Sequence, residues 1–124
     1  MKGSILALTL ISVSMSAIAQ VLFKLGMSAA LVRAAIAEGG SASIARAVAL
    51  SPGVLGGLAM YGLGTVLWLA VLARTELSLA YPFVGLSFVL TAIFGVILFQ
   101  EAMTMSRLAG IASIVLGVYL VGRS

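Results

Sequence analysis

The 124-residue chain contains neither cysteine nor histidine, and it has only three acidic side chains. Those absences remove disulfides, thiolate nucleophiles, imidazole acid–base chemistry and the usual zinc ligand sets. Charge of either sign is scarce. Seven Lys/Arg and three Asp/Glu make up 8% of the residues, against roughly 25% in a soluble domain. Ten charges cannot cover a water-facing surface of this size, so a soluble enzyme is excluded. What is present instead is hydrocarbon: 63% of the residues are hydrophobic and the mean hydropathy is +1.30. The composition is that of a small integral membrane protein.

A spanning helix needs roughly 20 mostly apolar residues to cross a hydrocarbon core about 30 Å thick. Four segments qualify: Gly3 to Phe23, Gly53 to Ala73, Ser78 to Phe99, and a shorter one around residues 107–122. Their apolar runs are continuous, which excludes the alternating pattern of a membrane β-barrel. The expected fold is therefore an all-α membrane protein, with residues 1–124 forming one four-helix transmembrane unit. Lys2, an apolar stretch and Ala17-Ile18-Ala19 also resemble a secretory signal with a small-residue cleavage site. The segment is read as the first transmembrane helix.

The connector over 24–52 differs from the rest. It carries Lys24, Arg33, Glu38 and Arg46, and Gly39-Gly40 divides it into two Ala-rich halves. Met27, Leu31 and Ala35 fall at helical spacing, as do Ile44 and Val48. Two short amphipathic helices lying in the membrane interface and an irregular linker are both compatible with this pattern. Ser51-Pro52 predicts the start of the second span, with Ser51 as N-cap and Pro52 at the first helical position. The second connector, Arg74 to Leu77, is tight and makes spans two and three antiparallel neighbours.

Small residues recur at four-residue spacing: Gly53 and Gly57; Ser87, Thr91 and Gly95; Ala109, Ser113 and Gly117. In lipid such stripes mark faces where helix backbones approach closely. The last stripe is equally suited to a second protomer. Pro82, a few residues into the third span, predicts a kink.

Polar groups within spans are costly and are candidates for function. Gln20 and Lys24 lie four residues apart on one face of the first helix, near its end. Lys24 is placed to reach the headgroup level, where an ammonium meets phosphate. Glu101, just past the third span, is on the same side of the membrane as Lys24 and Arg107 and is a candidate partner for either. Trp68 and Tyr81 flank the Arg74 connector. All ten charges lie at helix ends or in connectors, and no carboxylate occupies the middle of a span. Lys2, Arg74 and Arg123 lie on one side of the membrane; Lys24, Arg33, Arg46 and Arg107 lie on the other. Three against four leaves orientation unbiased, a balance that suits insertion both ways or pairing with an inverted partner.

The four-helix length, Lys24 closing the first helix and the run from Leu67 to Arg123 resemble the drug/metabolite transporter superfamily. Its small multidrug resistance proteins carry a glutamate in mid helix one, about two turns before a lysine. Eight residues before Lys24 this chain has Ser16, flanked by Met15 and Ala17, which argues against cation/proton antiport. A closer resemblance is to the EamA-like branch, and within it to the small flippase subunits for 4-amino-4-deoxy-arabinose linked to undecaprenyl phosphate. It rests on Ala19-Gln20 with Lys24, the run Val66 to Leu72, Ala80-Tyr81-Pro82 with Leu86-Ser87-Phe88-Val89, and Glu101 followed by Gly110 and Gly117. The segment over 27–51 is longer than the family leads one to expect.

The resemblance implies a non-enzymatic, multi-pass protein of the bacterial inner membrane. Its expected task is to translocate a polyprenyl-phosphate carrier, with or without a sugar such as aminoarabinose. In that role Lys24 neutralises phosphate, while Gln20, Ser87 and Thr91 hydrogen-bond the head group. Tyr81 and Trp68 stack on the sugar or line the groove mouth, and Glu101 completes the site. No cofactor, metal or nucleic-acid partner is implied. The expected unit is a dimer, either an antiparallel homodimer or a pair of related subunits. Two other functions fit the composition. One is a small-molecule or hydrophobic-cation transporter built on Trp68, Tyr81 and Tyr61. The other is a non-transporting scaffold subunit, in which Gln20 and Lys24 would be replaceable.

Overall fold

The computed structural model describes residues 2–124, and among these every regular element is helical. The order is α1 (Gly3–Met27), α2 (Ala30–Glu38), α3 (Ser41–Leu50), α4 (Pro52–Leu72), α5 (Leu77–Ala80), a 3₁₀ turn (Tyr81–Val84), α6 (Gly85–Leu98) and α7 (Met105–Arg123). Four of the resulting segments are long and apolar enough to cross a membrane: α1, α4, the composite Leu77–Leu98, and α7. The protein is a multi-pass membrane protein of the expected all-α class.

The span boundaries shift for local reasons. α1 continues past Lys24 to Met27, where Gly26 packs against the start of α4. α7 starts at Met105, ahead of the expected point, because Thr104 caps it by accepting a hydrogen bond from the Arg107 amide at 3.1 Å. Pro52 takes the first helical position of α4 as expected. Ser51 does not cap its own helix, however. Its hydroxyl crosses to α1 and donates to the Gly26 carbonyl at 3.2 Å, tying together the two ends of the connector.

That connector is helical in both halves. α2 ends at Gly39, whose φ of +80° requires a residue without Cβ strain. The chain then reverses into α3. Val32 and Ala35 on α2 are buried, whereas α3 buries no residue fully. The pair forms a hairpin at the end of the bundle opposite the Arg74 connector.

The principal contact of the bundle joins α1 and α4. Gly53, Gly57 and Gly64 face α1, and a methyl on Gly57 would run into the Phe23 ring at 2.5 Å. The glycine stripe expected on the second span therefore packs within the chain. Ser12, 4% exposed, donates to the Gly64 carbonyl at 2.8 Å and crosslinks the two helices at mid-span. Ser12→Ala removes this bond and leaves a buried carbonyl short of a donor. It is expected to cost about 1 kcal/mol, readable as a lower thermal midpoint of the detergent-solubilised protein.

The stripe on α7 behaves differently. Ala109, Ser113 and Gly117 are exposed, and nothing lies within 4 Å of a methyl built on Gly117. Val118 is the one buried residue of α7, the most peripheral of the four spans.

Candidate functional site

The third span is where the fold creates a cavity. Pro82 has no amide hydrogen to give, and its ring crowds the preceding turn. The helix responds by tightening into the 3₁₀ turn over Tyr81–Val84 before α6 resumes, a sharper interruption than a simple kink. In a 3₁₀ turn, side chains three apart eclipse one another. Tyr81 and Val84 thus fall in register, with Ser87 three residues further on.

These three face two other stripes. α1 contributes Ser12, Val13 and Ser16; α4 contributes Tyr61, Gly64, Thr65 and Trp68. The half-open space between them has a volume of about 140 Å³. Gly64 keeps it narrow, since a methyl there would sit 3.2 Å from Met15 Cβ. Trp68 and Tyr81 meet edge to face across it, with centroids 6.4 Å apart and planes at 66°. Tyr61 leans on Phe23 at 6.5 Å.

The cavity carries no charged side chain. Three of its hydroxyls donate to the backbone, Ser12 to Gly64 at 2.8 Å, Thr65 to Tyr61 at 2.8 Å and Ser87 to Val84 at 2.6 Å, while those of Ser16, Tyr61 and Tyr81 also line the space. A hydroxyl that has given its proton keeps acceptor lone pairs. The site therefore offers hydroxyl lone pairs between aromatic faces, with the Ser16, Tyr61 and Tyr81 hydroxyls able to donate as well as accept. It suits a ligand that brings N–H or O–H donors, and an ammonium above a ring face in particular.

Two further spaces meet at Tyr81. An apolar groove of about 440 Å³ runs between the third span and α7, lined by Val84, Gly85, Phe88, Ile114 and Gly117 among others. A shallow recess reaches outward from Tyr81 and Pro82 past Leu77 and Ser78 to Glu76. Polar cavity, apolar groove and acidic mouth are thus contiguous around one tyrosine.

Of the residues expected to act together, the structure gathers Trp68, Tyr81 and Ser87. Thr91 lies one turn beyond Ser87, off the cavity, with its hydroxyl given to the Phe88 carbonyl at 3.0 Å. Gln20 and Lys24 are exposed and also lie outside it. Lys24 is eight residues past Ser16, roughly 12 Å along the helix, towards the end opposite Trp68 and Tyr81. The packed stripe of α1 passes through Ser12, Met15, Ala19, Leu22, Phe23 and Gly26 in mixed steps of three and four. Gln20 and Lys24 follow strict steps of four from Ser16, so they drift out of the stripe by about 40° per step.

Glu101 pairs with neither expected cation. Its backbone amide bonds the Gly95 carbonyl at 3.1 Å and its carboxylate fits into the space that a Gly95 side chain would fill. Arg107 donates instead to the Ala102 carbonyl at 2.7 Å. Ser12, Gly64 and Thr65 line the cavity beyond the residues expected from sequence, as do Ser16, notable there only for lacking a carboxylate, and Tyr61, expected only as an alternative stacking group. The signal available was the coincidence of Ser12/Ser16 with Tyr61/Thr65/Trp68, two polar-aromatic stripes on adjacent spans.

No protein-family model matches the chain, and no solved structure matches it. Among curated proteins, it is 41% identical over 81 residues to the probable 4-amino-4-deoxy-L-arabinose-phosphoundecaprenol flippase subunit ArnE of Pseudomonas savastanoi pv. phaseolicola, covering 58% of this chain and 71% of that protein. It is 44% identical over 63 residues to the subunit of the same name from Pseudomonas aeruginosa, covering 51% and 55% of the two chains. A third, from Serratia proteamaculans, is 48% identical over 61 residues, covering 49% and 53%. The chain thus spans little more than half the length of the latter two relatives. The expected resemblance holds, and at 41% identity across 71% of the Pseudomonas savastanoi protein the chain belongs to the family of 4-amino-4-deoxy-L-arabinose-phosphoundecaprenol flippase subunits.

Proposed function

We propose that the chain is a subunit that carries an aminoarabinose-linked polyprenyl phosphate between the leaflets of a bacterial inner membrane. The observation that supports this most directly is the uncharged, hydroxyl-lined aromatic cavity sharing Tyr81 with an apolar groove. At about 140 Å³ the cavity is well below the roughly 300–1,000 Å³ that encloses a whole drug-sized ligand. It takes a head group and leaves the chain in the neighbouring groove and the bilayer. The amine of the sugar is the cation its ring faces and acceptor oxygens suit, and Glu76 gives the mouth an attracting charge.

Lys24 serves this reading as a separate station. It sits at the far end of α1 and binds the lipid phosphate near the headgroup layer at one face, at a different stage from that in which the cavity receives the sugar in the other half of the membrane. The relatives' designation as subunits favours assembly with a related chain, whose surface would close the half-open side of the cavity.

The test is transport in vesicles reconstituted with the purified protein and the carrier, scored with a membrane-impermeant amine reagent for the amine-bearing carrier and with membrane-impermeant periodate, which cleaves sugar diols, for one bearing a neutral sugar. The carrier is expected to change leaflets faster than in empty vesicles, and faster than the same carrier bearing a neutral sugar. Lys24→Ala is expected to slow transport about fivefold at low salt, the effect of roughly 1 kcal/mol per basic residue at a membrane surface. Equal rates with and without protein would overturn the assignment.

A further inference from the structure

The hairpin of α2 and α3 encloses a groove that the transport reading does not use. Its volume is about 510 Å³, and its walls are mostly hydrocarbon, including Leu31, Val32, Ala47 and Leu50. Two polar side chains of α3 line it, Ser43 and Arg46, three residues apart and so on one helix face. Arg46 is exposed.

The location limits what can fill it. α1 ends at Met27 and α4 begins at Pro52, so the hairpin is anchored at both ends where two spans leave the membrane. The Ser51 bond to Gly26 closes that root. Apolar side chains nevertheless stay uncovered, Leu31 at 82% and Leu50 at 64% exposure. The hairpin itself is net positive, Arg33 and Arg46 against Glu38, and of these Arg46 lines the groove. Hydrocarbon walls with one guanidinium and the Ser43 hydroxyl, the Ser51 hydroxyl being given to Gly26, complement at headgroup depth an acyl chain joined to a phosphate.

We propose that this groove is a binding site for an anionic phospholipid of the bilayer, with its phosphate on Arg46 and Ser43 and an acyl chain along Leu31, Ala47 and Leu50. The bound lipid fixes the hairpin in the plane of the interface. This site is independent of the transported substrate and stands or falls apart from the flippase assignment.

Native mass spectrometry of the full chain, released from bilayer discs of phosphatidylcholine with a minor share of phosphatidylglycerol, tests it. The wild type is expected to retain one phosphatidylglycerol in preference to phosphatidylcholine. Arg46→Gln should lower that retention about tenfold, the scale of a charge-assisted phosphate contact. Ala42→Trp, which fills the groove, should lower it similarly. Arg33→Gln removes the same charge from the same hairpin but outside the groove lining, and should leave retention unchanged. Arg46 is exposed, so its replacement leaves the fold intact, and an unchanged melting midpoint verifies this. Equal loss in Arg33→Gln would reduce the effect to general surface charge and overturn the site. So would undiminished retention in both groove variants. Because the chain has no cysteine, Ala47→Cys provides a background-free probe. Disulfide-linked dimers formed through it would show that a second copy, and not lipid, covers the groove.

Discussion

Gly53→Val is expected to separate α1 from α4 and to lower stability by about 3 kcal/mol, the top of the usual range for overpacking. A Cβ at position 53 would lie 2.6 Å from both Cα and N of Gly26, and 2.9 Å from the Leu22 carbonyl oxygen. Contact is reciprocal, since a Cβ on Gly26 would lie 2.5 Å from the Val54 amide nitrogen. Every one of these neighbours is backbone, so no side-chain rotation relieves the overlap and the helices themselves must move. Moving them also breaks the Ser51 hydroxyl's bond to Gly26, which roots the connector hairpin. In lipid there is no hydrophobic drive to compensate, because helix association depends on close packing. The measurement is the thermal midpoint in mild detergent, with Gly62→Ala as the control. Nothing lies within 4 Å of a methyl on Gly62, so that change should be neutral. A Gly53→Val protein that melts with the wild type would contradict the backbone-to-backbone crossing of α1 and α4.

The same crossing shows what the sequence made legible and what it did not. Continuous apolar runs announce four spans because a bilayer imposes a length and forbids unpaired backbone polar groups. The glycine stripe on α4 announces a close contact for a similarly general reason. Which helix fills a stripe is a different matter, since Gly53 and Gly57 meet α1 while Gly117 meets nothing in its own chain. Spacing alone treats them alike. The site was legible in part, because Trp68, Tyr81 and Ser87 are set by Pro82 and the tight connector before it, both local features. Gln20 and Lys24 share a helix face with each other, and only the family resemblance joins them to Trp68, Tyr81 and Ser87. Yet a face defined by steps of four rotates away from a packed stripe that alternates threes and fours. Depth, too, escapes a one-dimensional reading: Lys24 and Trp68 sit towards opposite ends of antiparallel neighbours.

Trp68→Leu is expected to slow transport of the amine-bearing carrier about tenfold while leaving the fold in place. Leucine is the informative replacement because Trp68 also packs beside the buried cluster of Ile5, Val71 and Ala80. Trp68→Ala would mix a packing loss with the loss of the ring. An ammonium desolvated against an aromatic face gains roughly 1–2 kcal/mol, which sets the scale of the rate change. Trp68→Phe keeps a face and should retain most of the activity. Tyr81→Leu should resemble Trp68→Leu, and the double variant should lose less than the two effects summed. The rings hold each other edge to face at 6.4 Å, so removing either already disturbs the other. A carrier with a neutral sugar separates the ring's electrostatic part from simple filling of space, since its transport should be nearly insensitive to Trp68→Leu. Equal slowing of both carriers would assign Trp68 to shaping the cavity alone, and undiminished transport of the amine-bearing carrier would remove it from the site.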